Sequence, residues 1–313
     1  MKAWAWTATR VVVTVSILAW LARDLDGPAA VTALDRFPLS AALLTLGLVA
    51  VDRVLMYLRW RILIRPFATL READLARIFF VSAFLGSFLP AGIGGDAARA
   101  YSVSRGGSTS GAAVASVVID RWLGLLAVGI SGCLGLMLVP FDLFAPLLYP
   151  MIGLTALLAV GSGAGLYAER LVERFMPPAM RHSWAGRQLV RLGDALAAYR
   201  SHPSALARVA VLSVAVQGSR IVLAWLIGAS LGIPLPFGYY WAFMPLNILV
   251  ILIPVSLGGF GLPQGAMVWT LGPLGVPATA AFLLSTVFVG AGVIGNLPGA
   301  LLFATGRARN ETS

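Results

Sequence analysis

FLGSFLPAGIGGDAARAYSVSR, residues 84–105, decides how the rest of the chain is read. An apolar run ends at Pro90 and a Gly-rich turn follows. A new helix is then expected from Asp96, whose carboxylate accepts hydrogen bonds from the free N–H groups of the first turn. The same punctuation returns in IPVSLGGF, residues 253–260, where Pro254 matches Pro90, Gly258 matches Gly94 and Gly259 matches Gly95. Both copies sit in strongly apolar sequence, where irregular backbone is costly unless it is buried in protein or lines a wet cavity. Matched breaks in two halves of a chain point to the binding site of a transporter.

The composition agrees with a membrane setting. Of 313 residues, 59% are hydrophobic and 12% charged, whereas a soluble domain carries about a quarter charged. The net charge of +10 therefore speaks for cytoplasmic loops and anionic lipid rather than nucleic acid. No Lys/Arg stripe is interleaved with aromatics as a nucleic-acid binder requires. Cys133 is the single cysteine, which excludes an intrachain disulfide and a thiolate cluster. The run Val11–Leu21 follows Lys2 and Arg10 like a signal peptide. With no clear small-x-small cleavage site after it, an uncleaved first span is expected.

Eight apolar regions divide into six full spans and two shorter hairpins. The spans are expected near 8–25, 37–58, 111–139, 144–167, 209–231 and 276–304. Arg59, Arg61, Arg65, Arg71 and Arg77 follow the second span and place that end in the cytoplasm. The run Ile78–Pro90 reaches about 20 Å, too short for a hydrocarbon core of about 30 Å. It reads as one arm of a re-entrant hairpin, and 238–274 as a second hairpin. Between Glu169 and Arg208 seven arginines (170, 174, 181, 187, 191, 200, 208) face Glu169, Glu173 and Asp194. That segment is expected in the cytoplasm, its 187–200 part lying as an amphipathic helix on the headgroups. If every apolar region crossed fully, it would fall outside, against the charge bias. The fold class is thus an all-α polytopic membrane protein, N-in and C-in. The whole chain, 1–313, forms a single transmembrane domain. Half one is 1–140 and half two 141–313, related as an inverted repeat with oppositely oriented hairpins.

Three ordered stretches, LPAGIGGDAARAYSVSR, then ASVVIDRWLGLLAV at 115–128, then IPVSLGGFG at 253–261, resemble the lysylphosphatidylglycerol synthase transmembrane region. That family is also described as flippase-like integral membrane proteins, and the resemblance covers nearly the whole chain. It implies a bacterial or archaeal cell-membrane domain that moves lipids between leaflets. Fused members carry a soluble aminoacyl-transferase domain after it. The sequence here ends at Ser313, so synthase activity of that kind is not expected. Where members usually have Arg-Glu after the second Gly-rich motif, this chain has Pro263-Gln264, which puts any proton or headgroup role of that Glu in doubt.

Ionisable residues inside spans are functional candidates because each is expensive to bury. Asp120 and Arg121 point about 100° apart on one helix, so each needs a partner elsewhere. Arg220 lies mid-span with Gln217 a turn before it. Asp96 and Arg99 are three apart on one helical face. Asp52 and Arg53 lie a turn from the inner end of span two, where Arg53 can snorkel to the surface. Counted together, Arg53, Arg99, Arg121 and Arg220 exceed Asp52, Asp96 and Asp120 by one positive charge, which suits a phosphate headgroup. The plainer reading is structural ion pairing between hairpins and spans. Substrate contact is assigned to Arg99, Arg121, Arg220, Gly94, Gly95, Gly258, Gly259 and Asn247, and proton or ion coupling to Asp96 and Asp120. For the glycines the plainer reading is close helix packing; Asn247 and Asn296 equally suit bonds across helices. His182 and His202 read as solvated loop residues. Trp4, Trp6, Trp20, Tyr57, Trp60, Tyr239 and Trp241 read as interfacial anchors.

Three functions follow. The first is a lipid transporter or flippase for an anionic, aminoacylated or glycosylated phospholipid or polyprenyl lipid. No G-x-x-x-x-G-K-[ST] motif is present, and neither a cofactor nor a metal is expected. The second is an intramembrane headgroup transferase, which needs a general base and often a metal. The third is a non-catalytic membrane partner of a separately encoded lipid synthase, docked through 169–208.

Overall fold

The computed structural model describes residues 12, 14–23, 25–89, 93–181, 183–253 and 260–310. Pro90, Pro254, Gly258, Gly259 and His182 lie outside the described residues. The described residues are helical, with no β-strand among their elements. A helical run at 14–22 precedes α1 (Gly27–Asp35), whose N-terminus is capped by Asp26 Oδ1 accepting from Ala29 N at 3.0 Å. The Asp26 N–H in turn donates to Thr279 Oγ1 at 3.0 Å, tying this loop to the far end of the chain.

Among the described residues, five helical stretches are long and apolar enough to cross a membrane: Leu39–Phe67, Ser110–Leu136, Pro146–Leu166, Pro203–Ser230 and Ala278–Thr305. The first, second and fourth contain α2 (Leu39–Ile64), α5 (Ser110–Leu136) and α9 (Pro203–Ser230), and the third lies within α6 (Phe141–Leu166). The last stretch holds α12 (Ala278–Ile294) and the start of α13 (Leu297–Asn310). Of the sixth expected span, 8–25, the structure describes residues 12, 14–23 and 25, with a helical run at 14–22 that is not among these five. Thr109 caps α5 by accepting from Ala112 N at 3.3 Å, as its short hydroxyl side chain just ahead of an apolar run favours.

Two short helix pairs flank the Gly-rich segments. α3 (Glu72–Phe88) is followed by α4 (Ile93–Arg105), and α10 (Phe237–Ile251) by α11 (Leu262–Leu271). α3 and α4 run antiparallel, because Arg99 meets Ser82 while Gly106 meets Leu70. At Gly95 a Cβ would strike the carbonyl oxygen of Ser82 and lie 2.8 Å from Gly86 Cα, so only glycine lets the two backbones approach this closely. Asn247 Nδ2 donates to Pro263 O at 3.1 Å and joins α10 to α11. α13 closes over α3: Asn296 Nδ2 donates to Ser87 Oγ at 2.7 Å, and Arg77 Nη2 donates to Leu302 O at 3.3 Å.

The segment 169–208 carries α7 (Ala168–Phe175) and α8 (Trp184–Ala197), the latter capped by Ser183 Oγ accepting from Gly186 N at 3.0 Å. α8 packs on α5, where Gly111 abuts the Arg191 carbonyl, and buries Gly186, Gly193 and Ala197. The largest apolar core gathers α9, α10, α11 and α12 around Ile227, Tyr240, Phe243, Met267 and Leu284, all with 0% exposure. α10 also packs directly on α5, where Gly135 abuts the Trp241 carbonyl, and a cavity lies between these helices and α2, α3 and α5.

Candidate functional site

A cavity of about 800 Å³ opens between α2, α3, α4, α5, α9, α10 and α12. Five arginines and three aspartates line it: Arg53, Arg59, Arg99, Arg121 and Arg220 against Asp52, Asp96 and Asp120. The lining therefore carries a formal surplus of two positive charges, with no lysine, glutamate or histidine among its residues.

These groups form two linked sets. On α2, Asp52 lies between Arg53, whose Nη1 donates to Oδ2 at 3.1 Å, and Arg220 of α9, whose Nε donates to Oδ1 at 2.8 Å. Met56 Sδ, one turn on, accepts from both guanidiniums, at 3.4 Å from Arg53 and 3.1 Å from Arg220. Arg53 Nη2 also donates to the Gly292 carbonyl of α12 at 3.0 Å. The second set runs through the Gly-rich hairpin. Arg59 Nε donates to Asp120 Oδ1 at 2.6 Å, and Arg99 Nη1 lies 3.6 Å from Asp120 Oδ2. Arg99 Nη2 lies 3.6 Å from Asp96 Oδ1, and Arg121 Nε donates to Asp96 Oδ2 at 2.6 Å. Every one of the three carboxylates is thus shared by two guanidiniums.

Burial is graded along the second set. The side chains of Arg59, Asp120 and Arg99 are 5–6% exposed, Asp96 is 15% exposed and Arg121 is 41% exposed. The Arg99 guanidinium carbon lies over two rings that stack on each other, 5.3 Å from the Trp60 ring centre and 4.9 Å from that of Phe79. Its Nε donates to Ser82 Oγ at 3.2 Å. Gly124 makes the room Arg59 needs, since a Cβ there would sit 3.1 Å from Nη1. Charges this deep are tolerable only when each faces an opposite charge with good hydrogen-bond geometry. Several polar atoms on the wall lack a hydrogen-bond partner: Arg53 Nε, Arg99 Nη1, Gln217 Oε1 and Asn296 Oδ1.

Of the residues singled out in sequence, Arg99, Arg121, Arg220, Asp96 and Asp120 meet on this wall, joined by Asp52, Arg53, Gln217 and Asn296. Gly94 abuts Leu89 and Gly95 abuts α3, so both serve hairpin packing. Asn247, 2% exposed, stands behind the wall against Pro263. His202 is half-buried and Phe67 packs against its ring. Trp60 is fully buried rather than interfacial, donating to Ser116 Oγ at 3.3 Å. Gln264, also fully buried, uses Oε1 to accept from Gly261 N at 2.7 Å and so closes the first turn of α11. Arg59 was grouped with the loop arginines, yet α2 continues to Ile64 and carries it inside. Its spacing held the signal: residues 52, 56 and 59 share one helical face.

A helical, multi-pass membrane protein with an arginine-rich cavity inside it is the class that fold and site define. The chain belongs to the lysylphosphatidylglycerol synthase transmembrane-region family, whose model matches residues 7–299. That membership makes it a membrane protein related to lipid modification and lipid flipping. Comparison with curated proteins gives no match.

Proposed function

We propose that the protein is a lipid transporter that passes a phosphate-bearing headgroup through the arginine-lined cavity while the acyl or prenyl tails stay in the bilayer. The observation that carries this reading is the cavity itself: about 800 Å³ of space walled by two more arginines than aspartates. A lipid headgroup needs a polar path across the hydrocarbon core, and guanidiniums recognise phosphate oxygens with paired hydrogen bonds. In this reading the two Gly-rich hairpins are re-entrant and enter from opposite faces. The six spans then form an inverted repeat, with both termini in the cytoplasm of a bacterial or archaeal cell. Commitment of every carboxylate to two guanidiniums supports transport over headgroup transfer, because a general base for transfer would first have to be released from its ion pairs.

Proton coupling is assigned to Asp96. Its tightest partner, Arg121, is the most exposed guanidinium on the wall. A phosphate that draws Arg121 away leaves Asp96 with only the 3.6 Å contact to Arg99, which opens a carboxylate oxygen to a coupled proton or ion. Leaflet exchange of an acyl-labelled anionic phospholipid in reconstituted vesicles tests the reading. Arg121→Ala and Arg220→Ala are expected to slow exchange at least about tenfold, the loss of one charge-assisted contact, while the protein stays folded. Wild-type rates in both would reduce these arginines to structural ion pairs.

A further inference from the structure

Building on that transport reading, we infer that the cavity selects a headgroup ending in a phosphate monoester, close to two negative charges, and rejects a headgroup carrying an ammonium group.

The inference starts from how charge is distributed on the wall. Asp52 is held by Arg53 and Arg220, Asp96 by Arg99 and Arg121, and Asp120 by Arg59 and Arg99. No carboxylate lining the cavity is left to receive a cationic group. An incoming ammonium would have to displace a guanidinium from a buried pair, leaving that guanidinium uncompensated. It would also raise an existing surplus of two positive charges to three. A guest with two negative charges brings the same wall to neutrality. A phosphate monoester carries about −1.5 to −2 near pH 7 and has three acceptor oxygens. A diester headgroup carries one charge and leaves half of the surplus unmatched.

Hydrogen-bond donors for such a guest are already on the wall. Arg99 is 5% exposed, and its Nη1 has only the long 3.6 Å ion-pair contact to Asp120 and no hydrogen bond. Arg53 Nε is likewise buried without a hydrogen bond. Arg121 meets Asp96 through Nε alone, which leaves the two Nη groups of its exposed guanidinium for an entering oxygen. Arg99, over the stacked Trp60 and Phe79 rings, is the fixed positive charge behind these exposed Arg121 donors.

The test compares acyl-labelled phosphatidic acid, phosphatidylglycerol and lysylphosphatidylglycerol in vesicles reconstituted with the full chain, the label placed away from the headgroup. The expected order is the monoester fastest, the diester slower by about tenfold, the worth of one charge-assisted hydrogen bond, and the aminoacylated lipid at the protein-free rate. Exchange of all three at the protein-free rate would sink the transport reading itself. Equal rates for monoester and diester, or faster movement of the aminoacylated lipid, would overturn this inference and leave transport standing. Arg121→Gln removes one surplus charge and is expected to shrink the monoester preference over the diester. An unchanged ratio in a folded variant would also count against it. Inorganic phosphate is added as a competitor. Inhibition at concentrations matching the lipid's would reassign the site to free phosphate, whereas no inhibition fits a lipid-borne group.

Discussion

Replacing Asp120 with Asn removes the charge on which the deepest part of the cavity depends. Asp120 lies 2.6 Å from Arg59 Nε and 3.6 Å from Arg99 Nη1, and all three side chains are 5–6% exposed. Water therefore cannot screen what the substitution leaves behind. Breaking a buried ion pair by removing one partner costs about 3–5 kcal/mol. Asn keeps an oxygen at Oδ1 to accept from Arg59, so the lower end, about 3 kcal/mol, is expected. That is roughly a hundredfold in the unfolding equilibrium, readable by denaturant titration in detergent micelles or lipid bicelles. Arg59→Gln alone is expected to cost a similar amount, because Asp120 then keeps only the longer contact to Arg99. The double variant pairs two amides in the same place, so its cost falls short of the sum by about 1.5 kcal/mol or more. Asp120→Asn within about 1 kcal/mol of the parent, with additive single costs, would refute the view that this charge holds the wall together.

Other positions give sharper contrasts. Glu72 is exposed, and hydrogen bonds from Arg61 and then Arg65 hold its carboxyl down at about 2 against an ordinary 4.5. A depressed carboxylate contributes stability above its unfolded value and loses it as pH falls through the folded value. Glu72→Gln is therefore expected to lower the melting temperature slightly at pH 7, with the gap to wild type closing between pH 4.5 and 2. A gap that widens toward acid would contradict the assignment. Gly95→Ala pushes a methyl into the α3 backbone at Ser82 and Gly86. It is expected to cost about 1–3 kcal/mol by overpacking; no change in thermal stability would mean the hairpin is looser than described.

The helix pair α3–α4 was legible in the sequence because Gly94 and Gly95 follow an apolar run too short to cross the bilayer. Most of the wall was legible too, since Asp96, Arg99, Asp120, Arg121 and Arg220 are charges in places where charge is expensive. The pairing pattern was hidden: Asp96 finds Arg121 twenty-five positions away, and Asp52 finds Arg220 across 168 positions. Nothing local encodes such a match. Arg59 was missed for a physical reason. It opens a run of basic residues that reads as a cytoplasmic loop, whereas Arg61 and Arg65 find Glu72 and let α2 continue through Ile64. Counting Arg59 with Asp52 and Met56 on one face would have raised the surplus from one charge to two. Asn247 was legible as a polar residue inside an apolar helix, whereas its bond to the Pro263 carbonyl sixteen positions on was not.

The central claim is that the headgroup travels through this cavity. A lipid carrying a photoreactive group beside its phosphate, activated in vesicles holding the full chain, tests it most directly. Cross-links are expected in peptides bearing Arg99, Arg121 and Arg220, and competition with unlabelled lipid is expected to suppress them. Cross-links confined to outward-facing positions such as Leu134, Leu157 and Val211, all exposed to the surroundings, would contradict it.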